Sequence, residues 1–404
     1  MNLKAIVVFL ALGFAACGSP RTEAQIVQAE ATEVLHSAPT VGAERWPEVL
    51  AKAAGKRVAC VVNHTSMSGS VHLVDRLLAD SVEVVKVFAP EHGFRGLASD
   101  GEKVADGVDP ATGVPIVSLY GKQRKPSQAL LAGLDLIIFD IQDVGARFYT
   151  YISTMHHVMD AAADVGIPVL VLDRPNPNGH YIDGPVLDPA YQSFIGMHPI
   201  PIVHGLTVGE LAHMINGEGW LSNGTTCTLM VVPVSGYRVG EEYILPIKPS
   251  PNLPSQASIY LYPTLCLFEG TVASVGRGTD MPFQVVGHPK TTGGSYSFTP
   301  KKRPGARYAK LAGEVCRGYN LQSEGTIAHD SIAWTRVVRL AEVTPVKPFV
   351  DRPKHFNACV GSDAFLLALR QNRGAAFRAT YQTQLAAYKV RAKPYLLYER
   401  TWTW

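Results

Sequence analysis

Residues Pro90-Glu91-His92-Gly93 set a carboxylate beside an imidazole directly after an apolar run, residues 82–89. A carboxyl group leaving apolar surroundings is suited to giving or taking a proton, and the adjacent imidazole can orient it or bind a hydroxyl. Taken alone, the pair reads equally well as a capped loop. The pattern recurs along the chain, however. Asn63-His64-Thr65-Ser66 follows a run at 57–62, and Asp140-Ile141-Gln142-Asp143-Val144-Gly145-Ala146-Arg147 follows one at 134–139. Asp173-Arg174-Pro175-Asn176 follows another at 168–172. Four neighbouring parallel strands would bring these endings to one sheet edge, where ligands of open α/β folds bind.

A second set lies farther along. Ser250-Pro251-Asn252 is a rigid turn presenting an amide, and Phe268-Glu269-Gly270-Thr271 offers a carboxylate after an apolar stretch. Gly276-Arg277-Gly278-Thr279-Asp280 carries Arg277 on a tight loop. Carboxylates with amides and arginines suit a sugar ligand. Glycoside cleavage needs one carboxyl group to protonate the leaving oxygen and a second to stabilise or attack the anomeric carbon. Glu91 fits the acid role, and Asp143 and Glu269 compete for the other. Asn63, His92, Asp140, Asn176 and Asn252 are candidates for binding hydroxyl groups. The competing reading for Glu269 is an interface carboxylate, and for Arg277 a local pair with Asp280.

Other chemistries lack their signatures. No G-x-G-x-x-G or Walker loop follows the first strand, the G-x-S-x-G elbow is missing, and H-E-x-x-H does not occur. No metal or organic cofactor is implied. Net charge is +3, and Lys301-Lys302-Arg303 is the longest basic cluster, so nucleic acid is set aside.

The elements that must hold these residues alternate. Strands are expected at 57–62, 82–89, 134–139, 168–172 and 227–232. Helical spacing lies between them at 71–78, 127–134, 149–165 and 207–217, with Thr207 as N-cap and Glu210 at the capping-box position. This is the pattern of βαβ units and a mostly parallel sheet. After residue 234 prolines and glycine-rich turns take over, followed by a short strand expected at 332–337 and helices at 363–369 and 375–387. The fold class read from this is α/β, with a Rossmann-like domain at 41–234 and a smaller α+β domain at 235–404. A cleft between them is the default site, and the proline-rich stretch after Ile247 would wall it.

The first 17 residues read as a targeting segment: Lys4, an apolar stretch, then Phe14-Ala15-Ala16-Cys17. The apolar run is too short to span a membrane. The ending resembles a lipobox with Cys17 as the acylated residue, and 18–40 reads as a tether. The expected product is an exported lipoprotein, periplasmic or on the cell surface, held to a membrane by its lipid. Five further cysteines, with no C-x-x-C pair, point to neither a zinc site nor a full disulfide framework. Cys60, Cys227 and Cys266 read as buried thiols.

From about residue 57 onward the chain resembles the exo-β-N-acetylmuramidases of the NamZ type. The resemblance is carried by Pro90-Glu91-His92-Gly93-Phe94-Arg95-Gly96, by Asp140 to Tyr151, by Asp173-Arg174-Pro175-Asn176-Pro177, by Ser250-Pro251-Asn252, and by Glu269 and Arg277 in their motifs. His64 departs from the proline expected there. The resemblance implies a Rossmann-like domain packed on a smaller one, and release of terminal N-acetylmuramic acid from peptidoglycan fragments. The lactyl carboxylate of that sugar suits a guanidinium fork, for which Arg147 and Arg277 are candidates. Each has an internal alternative, Asp143 or Asp280. The 2-acetamido group is itself able to assist, leaving one carboxylate only to orient it. Two other functions fit the same features: a lipoprotein that binds muropeptides without cleaving them, and a cell-wall amidase or esterase.

Overall fold

Seven strands form the central sheet of the computed structural model, which describes residues 38–95, 106–121, 123–326 and 329–404. In chain order they are β1 (Arg57–Val62), β4 (Glu83–Ala89), β5 (Gly107–Val108), β6 (Pro115–Ser118), β7 (Leu136–Asp140), β8 (Val169–Leu172) and β9 (Leu229–Val232). A small hairpin, β2 (Met67–Ser68) and β3 (Val71–His72), stands apart. The order across the sheet is β5-β6-β4-β1-β7-β8-β9, parallel throughout except for β5 against β6.

Both faces of this sheet are covered, which explains why its strands read as continuous apolar runs. Val58, Cys60 and Val62 point to one side, packing with α1 (Trp46–Ala53) and α2 (Leu73–Ala79). Ala59 and Val61 point to the other, with α4 (Tyr151–Val165) and α5 (Val208–Gly217). A short helix, α3 (Gln128–Leu131), precedes β7. Helix α4 is buried on most of its surface, and the loop around Phe194 and His198 packs on it: Ser153 donates to the Phe194 carbonyl at 2.7 Å and His156 Nδ1 lies 3.1 Å from His198 Nε2. Gly166, at φ 71°, terminates it. Helix α5 begins with the expected capping box of Thr207 and Glu210.

The smaller region holds an antiparallel sheet of β10 (Val285–His288), β11 (Tyr296–Phe298) and β12 (Cys316–Asn320), in the order β10-β12-β11. Around it lie α6 (Gln256–Leu265), α7 (Trp334–Val343), α8 (Pro353–Val360), α9 (Ala364–Arg370) and α10 (Gln382–Ala392). The stretch 332–337, expected as a strand, belongs to α7. Trp334, Val337 and Leu340 recur at helical spacing and are the buried residues of that helix, a period visible only over its full length.

Residues 398–404 return to the first region. The Tyr398 hydroxyl donates to Asp173 Oδ2 at 2.5 Å. Arg400 pairs with Glu210 at 2.8 Å, with both side chains almost fully buried.

Candidate active site

The four parallel strand ends do meet on one edge, but only part of their polar cargo faces a cavity. That cavity encloses about 540 Å³. Its walls come from the turn after β4 (Glu91, His92), from Phe148–Tyr151 at the start of α4 and from Ser250-Asn252-Leu253, with Tyr120, Arg124 and Phe194 alongside. Tyr262, Cys266, Glu269, Arg277, Phe283, Lys354, His355 and Cys359 complete it from the smaller region.

Glu91 is held by two hydroxyl groups. Tyr120 donates to Oε1 at 2.8 Å and Thr150 to Oε2 at 3.1 Å. Thr150 is the N-cap residue of α4, yet its side chain makes no cap and turns to Glu91 instead. Hydroxyl groups accept as well as donate, so this pair holds the carboxyl group in either protonation state. His92 has φ 69° and Gly93 φ 76°, so the chain reverses sharply through the left-handed region after Glu91. For a histidine that conformation is uncommon and is kept only by its surroundings. His92 Nε2 lies 3.3 Å from Ser250 Oγ, which in turn accepts the Asn252 amide at 3.2 Å. Asn252 spends its own side-chain amide on the Gly305 carbonyl, 2.8 Å away.

Glu269 is clamped from one side. Arg277 donates Nε to Oε1 at 2.6 Å and Nη2 to Oε2 at 3.1 Å, while its guanidinium lies 4.9 Å over the Phe283 ring. The fork expected to pair with Asp280 or a ligand is therefore matched to Glu269, and Asp280 pairs with Arg303.

Several expected site residues are elsewhere. Arg147 is fully buried and does not line the cavity. Its guanidinium donates to the carbonyls of Pro185, Ile200, Cys359 and Val360 at 2.6–3.0 Å, tying three distant segments together. Burial pushes it down to about 9, still cationic at neutral pH. Asp140 is fully buried against Arg174 in a two-pronged ion pair at 2.6 and 2.9 Å. Asn176 bridges the Leu206 carbonyl and the Asn178 amide, and Gly145 must be glycine because any Cβ there would strike the Asn176 side chain. Asn63 is buried in a turn, accepting from Thr65, with its side chain beside Tyr151. These four hold the edge together, and none of them lines the cavity.

Asp143 also lies off the cavity, near Tyr149 and Tyr151. One oxygen accepts the Gly145 amide at 2.7 Å, and the other has no partner among the described residues. Burial pushes its carboxyl up to about 7. The folded protein thus binds this proton more tightly than the unfolded chain, so the stability it confers is complete below about pH 4 and is lost as pH rises through 7. Asp143→Asn is expected to remove that loss. Melting temperatures from pH 5 to 8 check it, and parallel curves for variant and wild type would reject it.

Sequence reasoning missed Tyr120, Thr150, Arg124, Phe194, Lys354 and His355. Thr150 alone had a signal, since it lies in the Asp140-to-Tyr151 motif. The others come from loops or later helices. Arg124 stacks on Phe194 at 4.2 Å, and Lys354 and His355 sit on the first turn of α8. Contact with Cys359 raises His355 above its ordinary value. Among the described residues no group of three or more His, Cys, Asp or Glu is arranged to hold a metal ion.

Residues 58–257 match the family model described as exo-beta-N-acetylmuramidase NamZ, N-terminal, and residues 260–398 match its C-terminal counterpart. Over 291 residues the chain is 40% identical to the peptidoglycan beta-N-acetylmuramidase NamZ of Bacillus subtilis (strain 168), covering 68% of this chain and 70% of that protein. Crystal structures of two DUF1343 family proteins from Bacteroides fragilis NCTC 9343 are also similar. One superposes with a TM-score of 0.81 at 43% identity, covering 90% of this chain and all of that one. The other gives 0.76 at 30% identity, covering 89% and 99%. By both halves of its length, the chain belongs to the exo-β-N-acetylmuramidase NamZ family.

Proposed function

We propose that the chain is an exo-acting glycoside hydrolase that removes non-reducing-end N-acetylmuramic acid from peptidoglycan fragments. The observation that carries this reading is that Glu91 and Glu269, each positioned by its own partners, line one aromatic-walled cavity. Phe148, Tyr149, Tyr151, Tyr262 and Phe283 offer apolar faces for a sugar ring. Glu91, whose partners tolerate both of its protonation states, delivers the proton to the leaving oxygen and later takes one from water. Glu269 is fixed beside Arg277. It stabilises positive charge at the anomeric carbon or orients the 2-acetamido group. His92, braced by Ser250, is placed to bind a hydroxyl.

With Arg147 buried and Arg277 engaged, the lactyl carboxylate meets other cations. Arg124 and Lys354 line the cavity, and neither has an ion-pair partner among the described residues. Replacing both by alanine is expected to raise KM for a muramic acid glycoside about tenfold with kcat nearly unchanged, as for loss of one charge-assisted contact. Michaelis kinetics check it, and an unchanged KM rejects these residues as the anion-binding pair.

The experiment for the function is mass spectrometry of products from the disaccharide of N-acetylmuramic acid and N-acetylglucosamine. Release of free N-acetylmuramic acid is expected. Disaccharide bound in calorimetry yet recovered intact would identify a binding protein instead.

The place of action is part of the same proposal. The leader, Cys17 and the tether as far as residue 37 lie outside the described residues, so their support is the sequence: a basic start, an apolar run and a lipobox-like ending. Export with lipid attachment at Cys17 would put the enzyme where peptidoglycan is.

A further inference from the structure

One cluster in the cavity wall takes no part in the glycosidase reading. Cys266 opens the short turn Cys266–Gly270 that follows α6 and carries Glu269. Its Sγ lies 3.9 Å from Glu269 Oε2. Cys359 is on α8, one helical turn past His355, and its Sγ lies 3.7 Å from His355 Nε2. The turn and the helix touch backbone to backbone. A Cβ on Gly270 would fall 2.8 Å from Phe356 Cα, and the Arg352 amide donates to the Gly270 carbonyl at 3.1 Å. Both thiols are unbridged, both are buried among protein atoms, and both border the cavity.

We propose that Cys266 and Cys359 form a thiol–disulfide exchange site in the cavity wall, closed to an internal disulfide by a small-molecule or protein disulfide. The two thiols are unequal. The Cys266 thiol, and after it His355, hold Cys359 below its ordinary value, whereas burial pushes Cys266 upward. Cys359 is therefore the thiolate and nucleophile, and Cys266 the resolving thiol. The Cys359 thiolate attacks one sulfur of the incoming disulfide; a new S–S bond forms and one external thiolate leaves. That thiolate takes the Cys266 proton, directly or through His355. Cys266 Sγ then attacks Cys359 Sγ and expels the second external thiolate. Two protein thiols are oxidised and one external disulfide is reduced to two thiols.

The remaining described cysteines lack this arrangement. Burial pushes Cys227 up to about 11 and Cys316 to about 12, and Cys60 higher still beside the Asp140 charge. Closure would take the Cys266 S–H from Glu269 and the thiolate from His355, so it reaches a carboxylate of the cavity. The proposal itself rests on the close packing of the Cys266 turn against α8 with both thiols on one cavity wall, and holds whatever glycoside the cavity binds.

The test uses the full chain and oxidised glutathione at pH 7, followed by alkylation and non-reducing peptide mapping. A Cys266–Cys359 cross-linked peptide, two hydrogens lighter than the sum of its parts and restored by dithiothreitol, is expected. In Cys266→Ser, glutathione should be trapped on Cys359; in Cys359→Ser, Cys266 should stay reduced. Recovery of both wild-type cysteines fully alkylated, or cross-linking through Cys60, Cys227 or Cys316, would overturn the proposal. The wild-type map decides the matter even where a variant folds poorly, and it needs no measurement of hydrolysis.

Discussion

Glu91→Gln is expected to lower kcat on the natural disaccharide by about 10³-fold, within the range that a positioned acid–base group supplies. Glutamine keeps the shape of the side chain and one oxygen for Tyr120 or Thr150, so the fold should be retained. What disappears is the transferable proton. A 4-nitrophenyl N-acetylmuramide leaves without much protonation, so its first bond cleavage should suffer less than that of the disaccharide. This difference between leaving groups separates loss of an acid from loss of binding, which would weaken both substrates alike. Steady-state kinetics on the two substrates, with a thermal melt as control, make the comparison. Wild-type turnover of the disaccharide would remove Glu91 from the mechanism.

Arg147→Met should act on the fold. The wild-type guanidinium answers carbonyls of Pro185, Ile200, Cys359 and Val360 inside the protein. Methionine fills much of the volume but donates nothing, leaving the carbonyls of Pro185, Cys359 and Val360 without this donor, while Ile200 keeps the Leu187 amide. At about 1–3 kcal/mol for each of three unsatisfied groups, with incomplete additivity, a loss of about 3 kcal/mol is expected. Denaturant unfolding measures it. A variant of unchanged stability with a raised KM for muramic acid glycosides would show instead that Arg147 serves the ligand.

The contrast between these residues explains what was legible in the sequence. Strands buried on both faces announce themselves as apolar runs, and a capping box is local, so β1, β4, β7, β8 and the start of α5 follow from composition and spacing. The turn at Glu91 was legible for the same reason, lying directly behind such a run. What local reading cannot supply is which polar group meets which. Asp140, Arg147 and Asn176 have the residue types of a binding site, but partners 30 to more than 200 positions away consume their hydrogen bonds. Conversely, Tyr120, Arg124 and His355 sit in unremarked stretches and become part of the site through packing alone. The strand expected at 332–337 failed differently: six residues are too few to tell a period of 3.6 from a plain apolar run, and α7 uses ten.

The return of residues 398–404 to the first region bears on what that region needs in order to stand. Asp173 and Glu210 are buried acids that accept hydrogen bonds from Thr207 and Gly209 within the first region, and Tyr398 and Arg400 complete their cover. A buried carboxylate stripped of its cation costs several kcal/mol, so the stability of the first region depends on Arg400, more than 150 residues past the last strand of its sheet.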